Sequence, residues 1–321
     1  MKYQLAGHTS AGSRPTNQDR IAHCERDNAV LLVVADGLGG HAGGELAAEA
    51  LTDTAVQAFE RIKQPIITQP SAFLALTILQ AHNVILQRAK SRVPPIEPRT
   101  TCVLCLVQDG YAYWAHVGDS RLYHFRKNKL LTRTLDHTAT ERLRTDGVIT
   151  EEEMLSHPEK SRLLKCVGGP QKPTISLGQA APLHRGDTLL LCSDGLWETL
   201  SWEEIVHFLE FESLDEAIEE MTIEAENRRS KTSDNISVVT LRWQDRAPKD
   251  RPVEANEVVH VDQDALWEMA KNKMLVNKAR AKTTRAHNPR HGTRKQAPRK
   301  TNKKELRSEI KELEDYIKRI E

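Results

Sequence analysis

The sequence predicts an α+β fold in which antiparallel sheets pack on one another and helices cover their outer faces. Three observations predict it. Across 102–125 three β-rich runs follow one another with no room for helices between them, which argues for antiparallel neighbours rather than βαβ units. Amphipathic helical patterns gather in two places, within 44–92 and within 201–228. The hydrophobic fraction of 39% can fill a core and excludes a wholly disordered chain.

The elements follow in order. Ala29–Ala35 (AVLLVVA) is a short apolar run closed by Asp36-Gly37, and so reads as a strand. Helical spacing predicts α-helices over 44–63 and 71–92, the second marked by Phe73, Leu76, Ile78, Leu79 and Ile85. Strands are predicted at 102–107, Tyr111–Val117 and 121–125, with Asp109-Gly110 suited to a type I′ hairpin turn. Residues 138–164 are polar, carry a weak helix near 150–156 and a turn at Asp146-Gly147, and read as a mobile excursion between core elements. Thr188–Cys192 and Ile236–Trp243 are further strands. Ser201 is placed to cap a helix over 202–209, with Glu204 completing a capping box, and 214–228 is another amphipathic helix.

Beyond 244 the character of the chain changes. The formal net charge of +1 on 321 residues averages two unlike parts. Residues 245–321 hold 20 Lys/Arg against 13 Asp/Glu, a net of +7, which leaves 26 against 32, a net of −6, in residues 1–244. Within the tail, residues 271–304 carry 13 Lys/Arg and no Asp or Glu. Such a stretch is expected to be flexible and to meet an acidic partner or nucleic acid, although it has no aromatic residue to stack on bases. A short helix is expected over 262–276 and disorder elsewhere in 245–304. Leu306, Ile310, Leu313, Ile317 and Ile320 recur as a heptad seam, so 305–321 reads as a short amphipathic helix able to take a helix partner. The predicted organisation is therefore a globular domain over 1–244, a basic linker over 245–304 and the helix over 305–321. No apolar run reaches the roughly 18 residues of a membrane span, and MKYQLAGHTS has no apolar signal-peptide core, so a cytoplasmic protein is expected.

Cysteine usage agrees with that compartment. Cys24, Cys102, Cys105, Cys166 and Cys192 are odd in number and are expected to be reduced. Cys102 and Cys105 form a CxxC, but inside a strand positions three apart face opposite sides of the sheet, which argues against a shared metal.

The chemistry-bearing pattern is acidic. Asp19 (RPTNQDR), Asp36 (VVADGLGG), Asp119 (VGDSR), Asp194 (LLLCSDGLWE) and Asp234 (KTSDNISVV) sit at strand ends or beside turn glycines. A strand end fixes a carboxylate in space, and a following glycine lets backbone approach closely. Carboxylates brought to one point repel by roughly 4 kcal/mol per pair at about 4 Å and an effective dielectric near 20. Hard divalent cations relieve that cost, and an oxygen-only donor set suits magnesium or manganese rather than zinc. An isolated Asp-Gly pair is more often just a turn, so the order and flanks of the motifs must carry the argument.

Those flanks, RPTNQD at 14–19, VVADGLGGHAGGELAAE at 33–49, Thr100-Thr101, AHVGDSRLY at 115–123, LTRTLDH at 131–137, GDTLLLCSDGLWE at 186–198 and SDNISVV at 233–239, resemble in kind and order the metal-dependent Ser/Thr protein phosphatases of the 2C type, and bacterial members in particular. The resemblance spans about residues 5–243. It implies a four-layer α-β-β-α sandwich with a binuclear Mn2+ or Mg2+ site at one edge. In that reading Asp36 bridges two ions, the Gly37 carbonyl and Asp194 with Asp234 complete their coordination, and Asp119 with Asp194 forms a third-ion site. Asp19 orients the metal-bound water, Arg14 holds the substrate phosphate, and the segment around 138–164 is a flap beside the site. A bridging hydroxide would hydrolyse phosphoserine and phosphothreonine on proteins, opposing a Ser/Thr kinase in signalling.

Three departures from the family pattern stand out. Gln18 replaces the usual Glu, which removes one negative charge near the second ion. Leu38 stands where some relatives have His, leaving His41 as the candidate proton donor to the leaving oxygen. Arg99 stands where Gly is usual before the Thr pair. Other phosphatase chemistries lack their motifs: Cys166 is followed at the required interval by Lys172 rather than Arg, and neither an aspartyl-nucleophile DxDx[TV] nor a P-loop occurs. The competing reading is a phosphoprotein-binding scaffold with weak or no turnover, recruited through the basic tail.

Overall fold

The structure, a computed structural model of the full chain, describes residues 1–38, 43–94, 96–160 and 162–249. His41, the basic stretch 271–304, the helix expected over 262–276, the expected disorder of the tail and the heptad pattern of 305–321 lie outside the described residues.

In chain order the elements are β1 (Tyr3–Ser10), β2 (Arg20–Arg26), β3 (Ala29–Ala35), β4 (Gly37–Leu38), α1 (Gly43–Glu60), α2 (Pro70–Lys90), β5 (Arg99–Thr100), β6 (Cys102–Gln108), β7 (Tyr111–Val117), β8 (Arg121–Arg126) and β9 (Lys129–Arg133). There follow α3 (Ala139–Thr145), α4 (Glu151–Ser156), β10 (Val167–Gly168), β11 (Ser176–Leu177), β12 (Ala181–Pro182), β13 (Thr188–Cys192), α5 (Asp194–Trp197), α6 (Trp202–Phe208), α7 (Leu214–Arg229) and β14 (Ile236–Trp243). One sheet runs β1-β14-β13-β8-β9. The other runs β11-β7-β6-β3-β2, with β12 also on β7, and a small sheet runs β10-β5-β4. The pairings between the long strands are antiparallel, as the close strand spacing predicts.

Alternation along the strands builds the layers. In β3, Leu31 and Val33 face α1 and α2 together with Leu104 and Leu106, while Val30, Leu32 and Val34 face the second sheet together with Val103 and Val107. Across that interface stand Leu122, Leu189, Leu191, Val239 and Leu241. The far side of the second sheet, with Tyr123, Leu190, Cys192 and Val238, packs on Ile205 of α6 and Ile218 and Met221 of α7. Three apolar layers between four layers of structure give the sandwich. Cys102 lies in the helix-facing core and Cys105 in the inter-sheet core, so the two thiols are on opposite faces as their spacing requires.

Local sequence chemistry accounts for the turns and caps. Asp109 and Gly110 both have positive φ, +52° and +79°, the signature of a type I′ turn. The Ser201–Glu204 capping box is present in both directions. Asp146-Gly147 turns out to be the C-terminal cap of α3, with Gly147 at φ +72°. Several elements differ from expectation. β1, β2 and β9 are strands that the apolar runs do not announce, because all three end their sheets and keep half-exposed polar residues. The excursion at 138–164 holds α3 as well as α4.

The end of β13 remote from Asp194 is pinned electrostatically. Asp187 is buried and accepts hydrogen bonds from Arg126 at 2.7 Å, from His124 at 2.9 Å and from the His184 backbone at 2.9 Å. Burial would raise its pKa, but these bonds together hold it down at about 2. A carboxyl depressed from an ordinary 3.8 contributes stability that is complete above about pH 4 and is lost as pH falls through about 2. Asp187→Asn is expected to cost about 2 kcal/mol at pH 7. Urea midpoints measured across pH should show the gap between variant and parent closing below about pH 4.

Candidate active site

Strand register brings the five acids to one edge. Arg20 pairs with Ala35, so Asp19 and Asp36 stand side by side just past the β2–β3 ladder. Cys192 pairs with Arg121 on one side and Val238 on the other, so Asp119, Asp194 and Asp234 leave the second sheet at the same end. Asp119 lies in the β7–β8 connection, which passes from one sheet to the other at this edge. Two stacked sheets thus present their acidic termini together.

Local hydrogen bonds hold the acidic turns. The Ser193 hydroxyl donates to Asp19 Oδ2 at 2.7 Å and itself accepts from the Ser237 amide at 3.0 Å. The Asp36 carbonyl accepts from the Thr101 amide and the Thr100 hydroxyl, both at 2.8 Å, and the Asp36 amide donates to the Thr101 hydroxyl at 3.2 Å. The Asp119 carbonyl accepts from Trp197 Nε1 at 2.9 Å. Asn235 accepts from the Gln18 amide at 2.8 Å and donates to the carbonyls of Ala11 and Thr16, tying the β1–β2 connection to the start of β14.

Backbone closeness is part of the design at Gly37. A Cβ there would lie 2.4 Å from the Gly44 carbonyl group and 2.6 Å from the Gln18 carbonyl oxygen. Three backbone segments therefore meet around Gly37, which only glycine permits. Gln18, in place of an acid, packs in this junction, since a Cβ on Gly44 would come within 3.1 Å of its side chain. Arg99 is exposed, pairs with Leu38 in the small sheet and forms an ion pair with Glu97 at 2.9 Å.

The electrostatics are those of mutual repulsion. Burial, then the charges of Asp19, Asp194, Asp119 and Asp234, push Asp36 well above the ordinary carboxylate range. Burial, then Asp119, Glu198, Asp234 and Asp19, do the same to Asp194. Burial raises Asp119 to about 7, and it raises Asp19 to about 6 despite the hydrogen bond from Ser193. Asp234 is clasped by Arg14 through two hydrogen bonds of 3.0 and 2.8 Å. Among the described residues no three His, Cys, Asp or Glu side chains close tightly enough to enclose an ion by themselves. The chemistry of these groups nonetheless fits a hard cation: the candidate donor atoms are oxygens, the acids are buried or half-buried, and neighbouring acids raise the pKa of Asp36 and Asp194.

The structure thus gathers Asp19, Asp36, Gly37, Asp119, Asp194, Asp234 and Arg14 at one edge. It also shows supporting residues whose role the sequence alone does not reveal. Arg121 is buried, forms a two-pronged pair with Asp136 at 2.9 and 2.7 Å, and stacks 3.6 Å from the Trp197 ring. Trp197 in turn holds the Asp119 carbonyl. These residues lie inside the VGDSR, TLDH and DGLWE segments, so the signal that could have found them was the motif flanks themselves.

Comparison with known proteins gives a consistent result. The family model described as protein phosphatase 2C matches residues 6–231. A serine/threonine phosphatase, Stp, from Listeria monocytogenes is 32% identical over 172 residues, covering 53% of this chain and 68% of the relative. The structure of the Streptococcus agalactiae serine/threonine phosphatase superposes with a TM-score of 0.69 at 28% identity, covering 76% of this chain and all of the other. The catalytic domain of the serine/threonine protein phosphatase PstP, solved in complex with two manganese ions, superposes with a TM-score of 0.63 at 27% identity, covering 76% and 99%.

A repelling acidic site should cost stability when nothing neutralises it. A raised carboxyl pKa subtracts stability progressively as pH rises above about 4. In chelator at pH 7, Asp194→Asn is therefore expected to melt above the parent by a few degrees, on the scale of 2–4 °C per roughly 1 kcal/mol. Added Mn2+ should raise the parent's melting temperature more than the variant's, as calorimetry will show.

Proposed function

The chain belongs to the protein phosphatase 2C family, and from that premise we propose that it is a metal-dependent hydrolase of phosphoserine and phosphothreonine on proteins. One observation carries the proposal: five acidic side chains from both sheets converge at one edge, each of Asp19, Asp36, Asp119 and Asp194 with its pKa raised by burial and neighbouring acids. A site so costly to assemble has a purpose when divalent cations occupy it. Asp36, the Gly37 carbonyl, Asp194 and Asp234 would hold two ions, Mn2+ or Mg2+, and Asp119 with Asp194 a third. Such ions supply charge neutralisation, phosphoryl polarisation and activation of water for in-line displacement.

The chain's own groups do the rest. Asp19, fixed by Ser193, accepts a hydrogen bond from the attacking water and orients it toward phosphorus. As water adds, the bond to the Ser or Thr oxygen of the substrate breaks and that oxygen takes up a proton. Arg14 presents a planar fork suited to two phosphate oxygens, and exchanges its Asp234 contact for the phosphate. His41 remains the proposed donor of the proton to the leaving oxygen.

A covalent route through the adjacent side chains is disfavoured. The Ser193 hydroxyl is committed to Asp19 and Ser237. Cys192 is fully buried, and burial pushes its thiol far above the usual range. Residues 1–244 would form the catalytic domain, with the basic 245–304 and the heptad-patterned 305–321 as appended segments that contact partners. Among the described residues no helix is long and apolar enough to cross a membrane. The scaffold alternative predicts phosphopeptide binding without turnover, and it gives the repelling acids no task.

Asp36→Asn, Asp194→Asn and Asp234→Asn are each expected to lower hydrolysis of a phosphothreonine peptide in Mn2+ by at least about a hundredfold, on the scale of losing a transition-state contact. Phosphate release is the measurement, and parental rates in all three would refute the assignment. Cys192→Ala is expected to keep turnover, since no thiolate takes part.

A further inference from the structure

The excursion that holds α3 and α4 is tied to the acidic edge at both of its roots. At the first root, the His137 amide donates to the Gly118 carbonyl at 2.9 Å and the Gly118 amide donates back to His137 Nδ1 at 3.2 Å, next to Asp119. The base is closed by an isolated bridge between Thr138 and Leu163 and by the Leu164 amide donating to the His137 carbonyl at 2.8 Å. At the second root, Lys160 Nζ donates to Glu198 Oε2 at 2.6 Å. Glu198 caps α5, with its amide donating to the Asp194 carbonyl at 2.9 Å. One helical turn thus separates the excursion's lysine anchor from a central acid of the site.

This anchor differs in kind from the ion pairs elsewhere on the excursion. Arg144 pairs with Glu141 inside the excursion itself. Arg133, on β9, reaches Glu141 and Glu151 and braces the helices from the sheet side. Lys160 reaches across to the catalytic end. Its partner's side chain is only 10% exposed, so the pair is shielded from much of the solvent screening that weakens surface pairs. Arg229 of α7 also donates to Glu198 Oε2 at 3.1 Å and to its carbonyl at 2.9 Å. Glu198 therefore remains paired when Lys160 is removed, and a Lys160 variant leaves no orphaned buried charge.

We propose, resting on the phosphatase reading, that Lys160 is a positioning residue: through Glu198 it holds the α3–α4 excursion against the turn that carries Asp194, and so sets the affinity for phosphate borne on a protein. A peptide substrate has residues on either side of its phosphate and meets the excursion. A small aryl phosphate occupies the acidic edge and contacts little else. Loss of the anchor lets the excursion move away, which weakens binding of the larger substrate while leaving the arrangement of acids intact.

The test compares the parent, Lys160→Met and Lys160→Arg as full chains in Mn2+. Steady-state kinetics use a phosphothreonine peptide and p-nitrophenyl phosphate, and amide hydrogen exchange follows α3 and α4. Lys160→Met is expected to raise KM for the peptide about three- to tenfold, with kcat falling less than about twofold, and to raise KM for p-nitrophenyl phosphate by much less. Exchange over α3 and α4 should quicken in Lys160→Met, and Lys160→Arg should restore both KM and exchange. An unchanged peptide KM, an equal loss with both substrates, or failure of Lys160→Arg to restore either readout overturns the proposal. If the parent turns over neither substrate, the phosphatase reading fails, and the exchange comparison alone then decides whether Lys160 anchors the excursion.

Discussion

The repulsion among acids at one edge of the sandwich is the constraint to which the rest of the molecule answers. Four of the five are shifted upward by burial and by neighbouring acids. No flexible segment would hold such a set together, because each carboxylate would turn toward water. Two sheets locked through an apolar interface, with Val30, Leu32 and Val34 against Leu189, Leu191, Val239 and Leu241, remove that freedom. Burial of that interface offsets the cost of the site, and strand register decides which acids face one another.

Around this edge the polar scaffold is arranged so that few side chains need to compromise. Ser193, Thr100, Thr101, Asn235 and Trp197 each satisfy a backbone or carboxylate atom of the acidic turns. Beneath them Arg121, Asp136 and the Trp197 ring form a buried charged layer whose two-pronged geometry fixes the β7–β8 connection. Buried pairs of this kind add little net stability against an apolar replacement, and this one sits at the start of β8, directly after the connection that carries Asp119. The excursion at α3 and α4 attaches beside this layer, through Gly118 and Glu198, so the proposed placement of substrate and of ions would share supports.

Much of the fold was legible because a strand buried on both faces reads as a continuous apolar run. Ala29–Ala35, Tyr111–Val117, Thr188–Cys192 and Ile236–Trp243 have the bounds their composition indicates. β1, β2 and β9 did not show themselves, because a half-exposed strand at or near the margin of a sheet keeps Gln, His, Thr and Arg among few apolar residues. At the site, the acids were marked by their positions beside glycines and strand ends, and the family resemblance assigned them roles. Their supports were not legible, because the relevant bonds join distant residues: Ser193 meets Asp19 across 174 positions and Trp197 meets Asp119 across 78. The contact of Arg14 with Asp234 was likewise invisible, since the resemblance cast Arg14 as a phosphate ligand and Asp234 as a metal ligand without pairing them.

On the proposed reading, the acidic edge works through divalent cations. Phosphate release from a phosphothreonine peptide, followed while Mn2+ is titrated into chelator-treated protein, tests it directly. Turnover should be at background without the ion and rise saturably as it is added. Turnover at full rate in excess chelator, unaffected by Mn2+ or Mg2+, would contradict the account.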